Sequence, residues 1–263
     1  MTRRAGPIII LLTIAAAVIG PALVPHDAIA QNLPMRLNGP SWSHPLGMDE
    51  LGRDLLARLL MGARISLFVG LSVVGVSALV GTIIGALAGY LGGIADTIIG
   101  RVMDVLLAFP GILLAIALVA VLGPSLRNVV LALVTIGWVG YARLVRGQVL
   151  KIRELDYVQA IRAQGASLAR VLRAHVIPAT FSAVSVQATL GMAGAIIGEA
   201  SLSFLGLGVQ PPTASWGTML DAGRSHLFDA PHLTIVPGLA IALLVLGFNF
   251  TGDALRDRLD PRL

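Results

Sequence analysis

Long stretches of this 263-residue chain carry no charge at all. Counting histidine as a break, uncharged runs fill residues 5–25, 65–95, 105–126, 128–142, 176–198 and 233–252. A helix that crosses a bilayer needs about 20 mainly apolar residues, and lipid offers no partner to an unpaired backbone group. Five runs reach that length. The fourth, of 15 residues, spans only if Arg143 extends its guanidinium to the interface. A seventh uncharged run, 200–220, holds Gly206, Gly208, Pro211 and Pro212, which read as a helix end followed by a loop. The expectation is an all-α integral membrane protein with six transmembrane helices.

Composition narrows the function classes. Charged residues make up 13% of the chain, about half the usual share in a soluble domain, which excludes a soluble enzyme or a disordered protein. There is no cysteine, so no disulfide, thiol nucleophile or thiolate metal site. The net charge of +5 fits membrane topology rather than nucleic-acid binding. With the N-terminus inside, 13 basic residues, among them Arg3, Arg4, Arg143, Arg146, Lys151 and Arg262, fall on the inner side. Six fall outside: Arg36, Arg53, Arg58, Arg64, Arg127 and Arg224. That asymmetry places both termini in the cytoplasm. Arg3 and Arg4, an apolar stretch and Ala28-Ile29-Ala30 also resemble a cleavable secretory signal, which would leave five helices. The first run exceeds the roughly 7–15-residue core of a signal peptide and better suits an uncleaved anchor.

Between the first two spans, Asp49 is placed to cap an interfacial helix whose apolar face holds Leu51, Leu55, Leu56, Leu59 and Leu60, with Arg53, Asp54 and Arg58 facing water or headgroups. Gly81, Gly85 and Gly89 recur every fourth residue, a spacing that lets a second helix backbone approach closely. Gly191, Gly194 and Gly198 suggest the same packing, and small residues also suit a pore lining.

The richest basic segment runs from 143 to 178 and contains the single lysine, Lys151. Asp156 is placed to cap a helix through Tyr157, Ala160, Ile161 and Ala163, Gly165 breaks it, and Ser167 caps a second helix carrying Leu168, Val171 and Leu172. Pro178 opens the next span. A basic solvated loop needs neither the apolar stripe nor the small alanines, whereas a knob that enters a partner's groove needs both.

Much chemistry is missing. No phosphate loop, zinc-protease helix or nucleophile elbow occurs, and the five histidines are scattered without ligand spacing. His175 reads as a hydrogen-bonded structural residue. Within membrane depth Glu199 stands out, because a buried carboxylate is costly and marks either function or a paired structural charge. Asp104 has a candidate partner in Arg101 one turn away, and Asp96 and Asp253 sit near the inner interface.

Taken together, several stretches resemble the permease subunits of ATP-binding-cassette importers, specifically the C-type permease of dipeptide, oligopeptide and nickel uptake systems. The knob resembles that family's EAA loop: Gln159-Ala160-Ile161, three residues, Gly165, and later Ile177-Pro178, with the family's glutamate and second alanine replaced. HPLGMDELGRDLLARL (44–59), DVLLAFPGILLAIALVAVLG (104–123) and GEASLSFLGLGVQPPTASWGTML (198–220) are also similar. The resemblance implies a type I importer permease fold, with an anchor and external segment at 1–63, the permease domain at 64–253 with its coupling loop at about 150–178, and a cytoplasmic tail at 254–263. It implies coupling through Tyr157, Gln159, Ala160, Ile161, Gly165, Ala166, Ser167 and Pro178, and a transport path or gate near Glu199, Ser201 and Ser203. It implies a second homologous permease, two cytoplasmic ATPase subunits that bind ATP and Mg, an external substrate-binding protein, and a bacterial inner membrane as the site. The chain itself is expected to bind no cofactor and catalyse no bond chemistry. Peptide is the first-choice cargo, ahead of nickel or another small solute. A proton-coupled transporter or channel resting on Glu199, and an intramembrane enzyme, are the readings from other classes.

Overall fold

A computed structural model describes residues 2–259, and in it the apolar runs become helices. These are α1 (Thr2–Leu23), α2 (Leu55–Leu91), α3 (Gly93–Leu107), α4 (Gly111–Leu122), α5 (Leu126–Ile152), α6 (Asp156–Ala163), α7 (Leu168–Val171), α8 (Ile177–Phe204), α9 (Trp216–Gly223) and α10 (His232–Leu259). One π-helical turn, Leu172–Val176, joins α7 to α8, so that a single helical stretch runs from Leu168 to Phe204. Among the described residues, five helical segments are long and apolar enough to cross a membrane. Residues 260–263, with Arg262 and the end of the expected tail, lie outside the described residues.

The third run, 105–126, is not a straight span. It breaks between α3 and α4, which meet at an angle of 85°. The cause is Pro110, which has no N–H for the helix ladder and holds the preceding Phe109 out of the helical region. The bent pair counts as a sixth crossing only if taken together. The fourth run is longer than its uncharged core: α5 continues through Arg143 and Arg146. Both arginines are paired to α3, with Arg143 Nη2 donating to Asp104 Oδ1 at 2.7 Å and Arg146 forming a two-pronged bond to Asp96. Asp104 therefore pairs across to α5 and not with Arg101, and Asp96 is held by an arginine rather than by hydration alone.

The segment before α2 also differs from expectation. Asp54, not Asp49, caps the helix by accepting from Ala57 N at 2.8 Å, and α2 then runs 37 residues without interruption into the span. Asp49 instead folds the preceding loop. It accepts from the backbone N–H groups of Leu51 and Arg53 and pairs with Arg53 (2.6 Å) and Arg58 (3.2 Å). Arg53, Asp54 and Arg58 are buried rather than facing water: the two arginines share Asp49, and Asp54 is engaged by Ala57 N and His44.

Close approach of α2 to α5 sets the core. A Cβ at Gly81 would lie 2.5 Å from the carbonyl oxygen of Trp138, one at Gly89 would lie 2.9 Å from that of Arg146, and one at Gly85 would strike that of Ala142. The four-residue glycine spacing thus meets a backbone ridge on α5, as expected. α1 packs on α10, where Gly6 faces Thr251 and Gly247 faces Ile9. α1 and α10 run antiparallel, with Gly6 beside Thr251, whereas α2 and α5 run parallel, with Gly81 beside Trp138 and Gly89 beside Arg146, so both ends of the described chain lie on the same side as α6 and α7. Asp54, α9 and the loop at 205–215 lie on the opposite side.

Candidate functional site

At the α6–α7 end, α5 stops at Ile152 and the chain turns into α6 after Arg153, whose Nη1 donates to the Gly89 carbonyl at 2.8 Å. Leu155 occupies the cap position, and Asp156 is the first helical residue and makes no side-chain cap. Its place in the first turn is still favourable, since negative charge suits a helix N-terminus. α6 ends in a Schellman turn. Gly165, with φ +82, donates from its N–H to Arg162 O at 2.9 Å, and Ala166 N donates to Ile161 O at 3.3 Å. Such a turn requires the left-handed region at the residue after the cap, where glycine alone carries no steric penalty. Ser167 then caps α7 by accepting from Arg170 N. Gly165 and Ser167 act as the sequence suggests.

Two faces result. Val158, Val171, Leu172 and Val176 are buried against Ala86, Val145, Val149 and Ile152 of α2 and α5, with Ile161 and Ala166 packed at the edge. Tyr157, Gln159, Ala160, Gly165, Ser167, Leu168 and Pro178 are exposed. Val171 and Leu172 therefore face inward, and the outward ridge is formed by Tyr157, Ala160, Ala163 and Leu168. Gln159 Nε2 donates to the Glu154 carbonyl at 3.2 Å. His175 packs its ring edge-on to Tyr157, with centroids 6.4 Å apart, in place of the hydrogen bond expected for it. Arg162 lies over the Tyr90 ring of α2 at 5.5 Å. Apolar contacts thus weld the knob to α2 and α5, and its outer surface is left uncovered.

Between α2, α4, α5 and α8 lies a cavity of about 570 Å³. Gly137, Gly191, Gly194 and Gly198 contribute to its wall, and Ser77, Tyr141, Gln187 and Ser201 supply its polar groups. Tyr141 Oη donates to the Gln187 carbonyl at 3.4 Å. Ser77 Oγ is buried with no hydrogen-bond partner among the described residues. Gly191 packs closely on Tyr141, but a Cβ on Gly194 would meet nothing within 4 Å. The second glycine set therefore divides between packing and cavity lining. Gln187 and Tyr141 escaped the sequence reading, although a lone glutamine inside the run 176–198 was the available signal.

The residues expected near the path also divide. Ser201 lines the cavity and donates to the Ile197 carbonyl at 2.8 Å. Glu199 is fully buried on the other side of α8 and accepts from Ser203 Oγ at 2.7 Å through Oε1, while Oε2 has no partner among the described residues. The start of α9 closes over this point: Gly217 packs on Ala200 and Ser203, and Trp216 Nε1 donates to the Leu59 carbonyl of α2 at 2.9 Å. Glu199 and Ser203 thus sit in the joint between α8 and α9, not in the cavity wall.

Comparison with known proteins gives a consistent picture. The family described as "Binding-protein-dependent transport system inner membrane component" matches residues 81–263. A glutathione transport system permease protein of Pectobacterium atrosepticum is 49% identical over 260 residues, covering 98% of this chain and 86% of that protein. A dipeptide transport system permease protein of Alkalihalophilus pseudofirmus is 44% identical, covering 98% and 85%. A di/tripeptide transport system permease protein of Pseudomonas aeruginosa is 45% identical, covering 98% and 87%. Among solved structures, the inward-facing MetNI methionine ABC transporter superposes with a TM-score of 0.57 over 77% of this chain and 96% of the matched one, at 18% identity.

Proposed function

The chain belongs to the binding-protein-dependent transport system inner-membrane family, and from that premise we propose how it works and what it carries. It is a multi-pass permease subunit of an ATP-binding-cassette importer. The cargo is a short peptide: the relatives named for glutathione, dipeptides and di- or tripeptides share 44–49% identity with nearly the whole chain. The cavity beside Tyr141, Gln187 and Ser201 is this subunit's share of the translocation path, completed by a second permease. An external binding protein delivers the peptide. Two ATPase subunits dock from the cytoplasm, where both termini also lie, and supply the ATP and Mg chemistry that this chain does not perform.

The observation that carries the mechanism is the two-faced knob. Tyr157, Ala160, Ala163 and Leu168 offer a small, apolar outward surface, while Val158, Val171 and Leu172 are clamped to α2 and α5. A force applied at the outer face reaches the helices around the cavity without being absorbed in a flexible loop. ATP binding by the partners then biases a two-state bundle between inward- and outward-open forms. The packing of Gly217 on Ala200 and Ser203, beside Glu199, ties α9 to α8, so that the outer elements move with the helix that lines the path.

The test is uptake of a labelled dipeptide and of glutathione by vesicles holding the whole complex, with and without ATP and the binding protein. ATP-dependent, binding-protein-dependent accumulation of either peptide supports the reading. ATP-independent flux driven by a proton gradient refutes it.

A further inference from the structure

On the side opposite the knob, three residues distant in the sequence converge. His26 follows the end of α1, His44 lies in the external loop, and Asp54 caps α2. His44 Nδ1 lies 2.8 Å from Asp54 Oδ2, and His26 Nδ1 lies 3.9 Å from the same oxygen. The imidazole centroids are 4.5 Å apart and tilted by 48°, and the three potential ligand atoms all lie within 4.8 Å of one another. Two of the five histidines are thus brought together by the fold. We infer that His26, His44 and Asp54 form a site for one divalent cation of the zinc class on the outer face of the protein.

Several observations favour a cation over a simple hydrogen-bonded pair. A single proton on His44 accounts for its contact with Asp54, but at 3.9 Å His26 is too far to hydrogen-bond, and its nearness to the same oxygen is left without a purpose. Asp54 is well placed as a ligand, being buried, with Oδ1 committed to Ala57 N and Oδ2 turned to the imidazoles. Among the described residues no arginine neutralises that oxygen: Arg58, one turn along α2, is engaged by Asp49 and the Ala28 carbonyl. Zinc bonds of about 2.0–2.1 Å set tetrahedral ligand atoms roughly 3.4 Å apart, so closure needs a slight opening of the 2.8 Å His44–Asp54 pair and a swing of His26. That side chain is 35% exposed and is free to make it. Two imidazoles and one carboxylate suit zinc, copper or nickel and disfavour magnesium or calcium. The exposed side leaves the fourth position to water.

A cation here would brace the outer end of α1 against the start of α2. The site shares no residue with the cavity or the knob, so its test stands apart from the transport assay. The whole chain, purified in lipid nanodiscs with a tag that contains no histidine, is stripped with chelator and titrated with Co²⁺ and then Zn²⁺. Because the chain has no cysteine, any visible cobalt band arises from nitrogen and oxygen ligands. The expected result is one Co²⁺ per chain, displaced by one equivalent of Zn²⁺ and not by Mg²⁺, with a zinc-dependent rise in melting temperature. His26→Ala and His44→Gln should each weaken binding by at least the roughly ten- to hundred-fold that loss of even an outer-shell partner causes. His26→Ala should melt as the parent does without metal, which separates ligand loss from misfolding. Equal stoichiometry and affinity in the parent and in the His26→Ala, His44→Gln double variant would overturn the site. So would the absence of saturable micromolar binding in the parent.

Discussion

Gly165 gives the sharpest test of how the knob is built, because space and conformation separate cleanly there. A side chain added at this position would meet nothing within 4 Å, yet its φ is +82. Any effect of substitution is therefore conformational rather than steric. An L-residue held in the left-handed region costs about 1–2 kcal/mol, with asparagine the best tolerated and β-branched residues the worst. At about 2 kcal/mol, Gly165→Val disfavours the native turn roughly thirtyfold, since each 1.4 kcal/mol is a factor of ten. The buried anchors Val158 and Val171 stay in place on either side, so the strain is released by re-aiming the turn and with it the Ala160–Leu168 ridge. Pull-down of the ATPase subunits and ATP-driven peptide uptake should both fall severalfold or more in Gly165→Val. Gly165→Asn should retain most of both, although its side chain is nearly as large. Equal loss in the two variants would refute the conformational argument, as would full function in Gly165→Val.

Gly85→Leu should lower the thermal midpoint of the purified subunit, since its Cβ meets the Ala142 backbone and overpacking costs about 1–3 kcal/mol; an unchanged midpoint would mean that α2 and α5 do not touch there. Gly194→Phe, placed where a Cβ finds open space beside the cavity, should leave assembly and stability intact while sharply reducing peptide uptake, and full uptake would remove the cavity from the path. Glu199→Gln preserves the acceptor for Ser203 and should keep most transport. Glu199→Leu strands the Ser203 hydroxyl in a buried joint at about 1–3 kcal/mol and should lose both stability and uptake; complete loss in the glutamine variant with normal assembly would point to proton coupling.

What the sequence made legible follows from what is local in it. The glycine spacing at 81, 85 and 89, the break at Gly165 and the cap at Ser167 depend on neighbours within one or two turns, and each appears in the fold. The bend after Leu107 was available in Pro110 but was masked by the apolar residues around it. The pairs that carry Arg143 and Arg146 into α5 join residues 39 and 50 positions apart, and no periodicity announces such partners. Asp49 and Asp54 both look like caps. The arginines that claim Asp49 reach it only after the loop has folded. Arg53, Arg58 and Arg64 count against the charge rule for topology, and in the fold all three are engaged: Arg53 and Arg58 share Asp49, and Arg64 donates to the carbonyls of Ala17 and Val18 on α1. The cavity was illegible because its polar groups come from separate helices.

The central claim is that the α6–α7 ridge receives a cytoplasmic ATPase. A single cysteine at Ala160 in this otherwise cysteine-free chain tests it directly, with thiol-specific cross-linking in intact membranes and identification of the attached peptide. The account predicts a cross-link to an ATPase subunit whose yield changes with ATP, and protection from an impermeant thiol reagent added outside. Labelling of that cysteine from outside, or a ridge that never cross-links to the ATPase in an actively transporting complex, would contradict it.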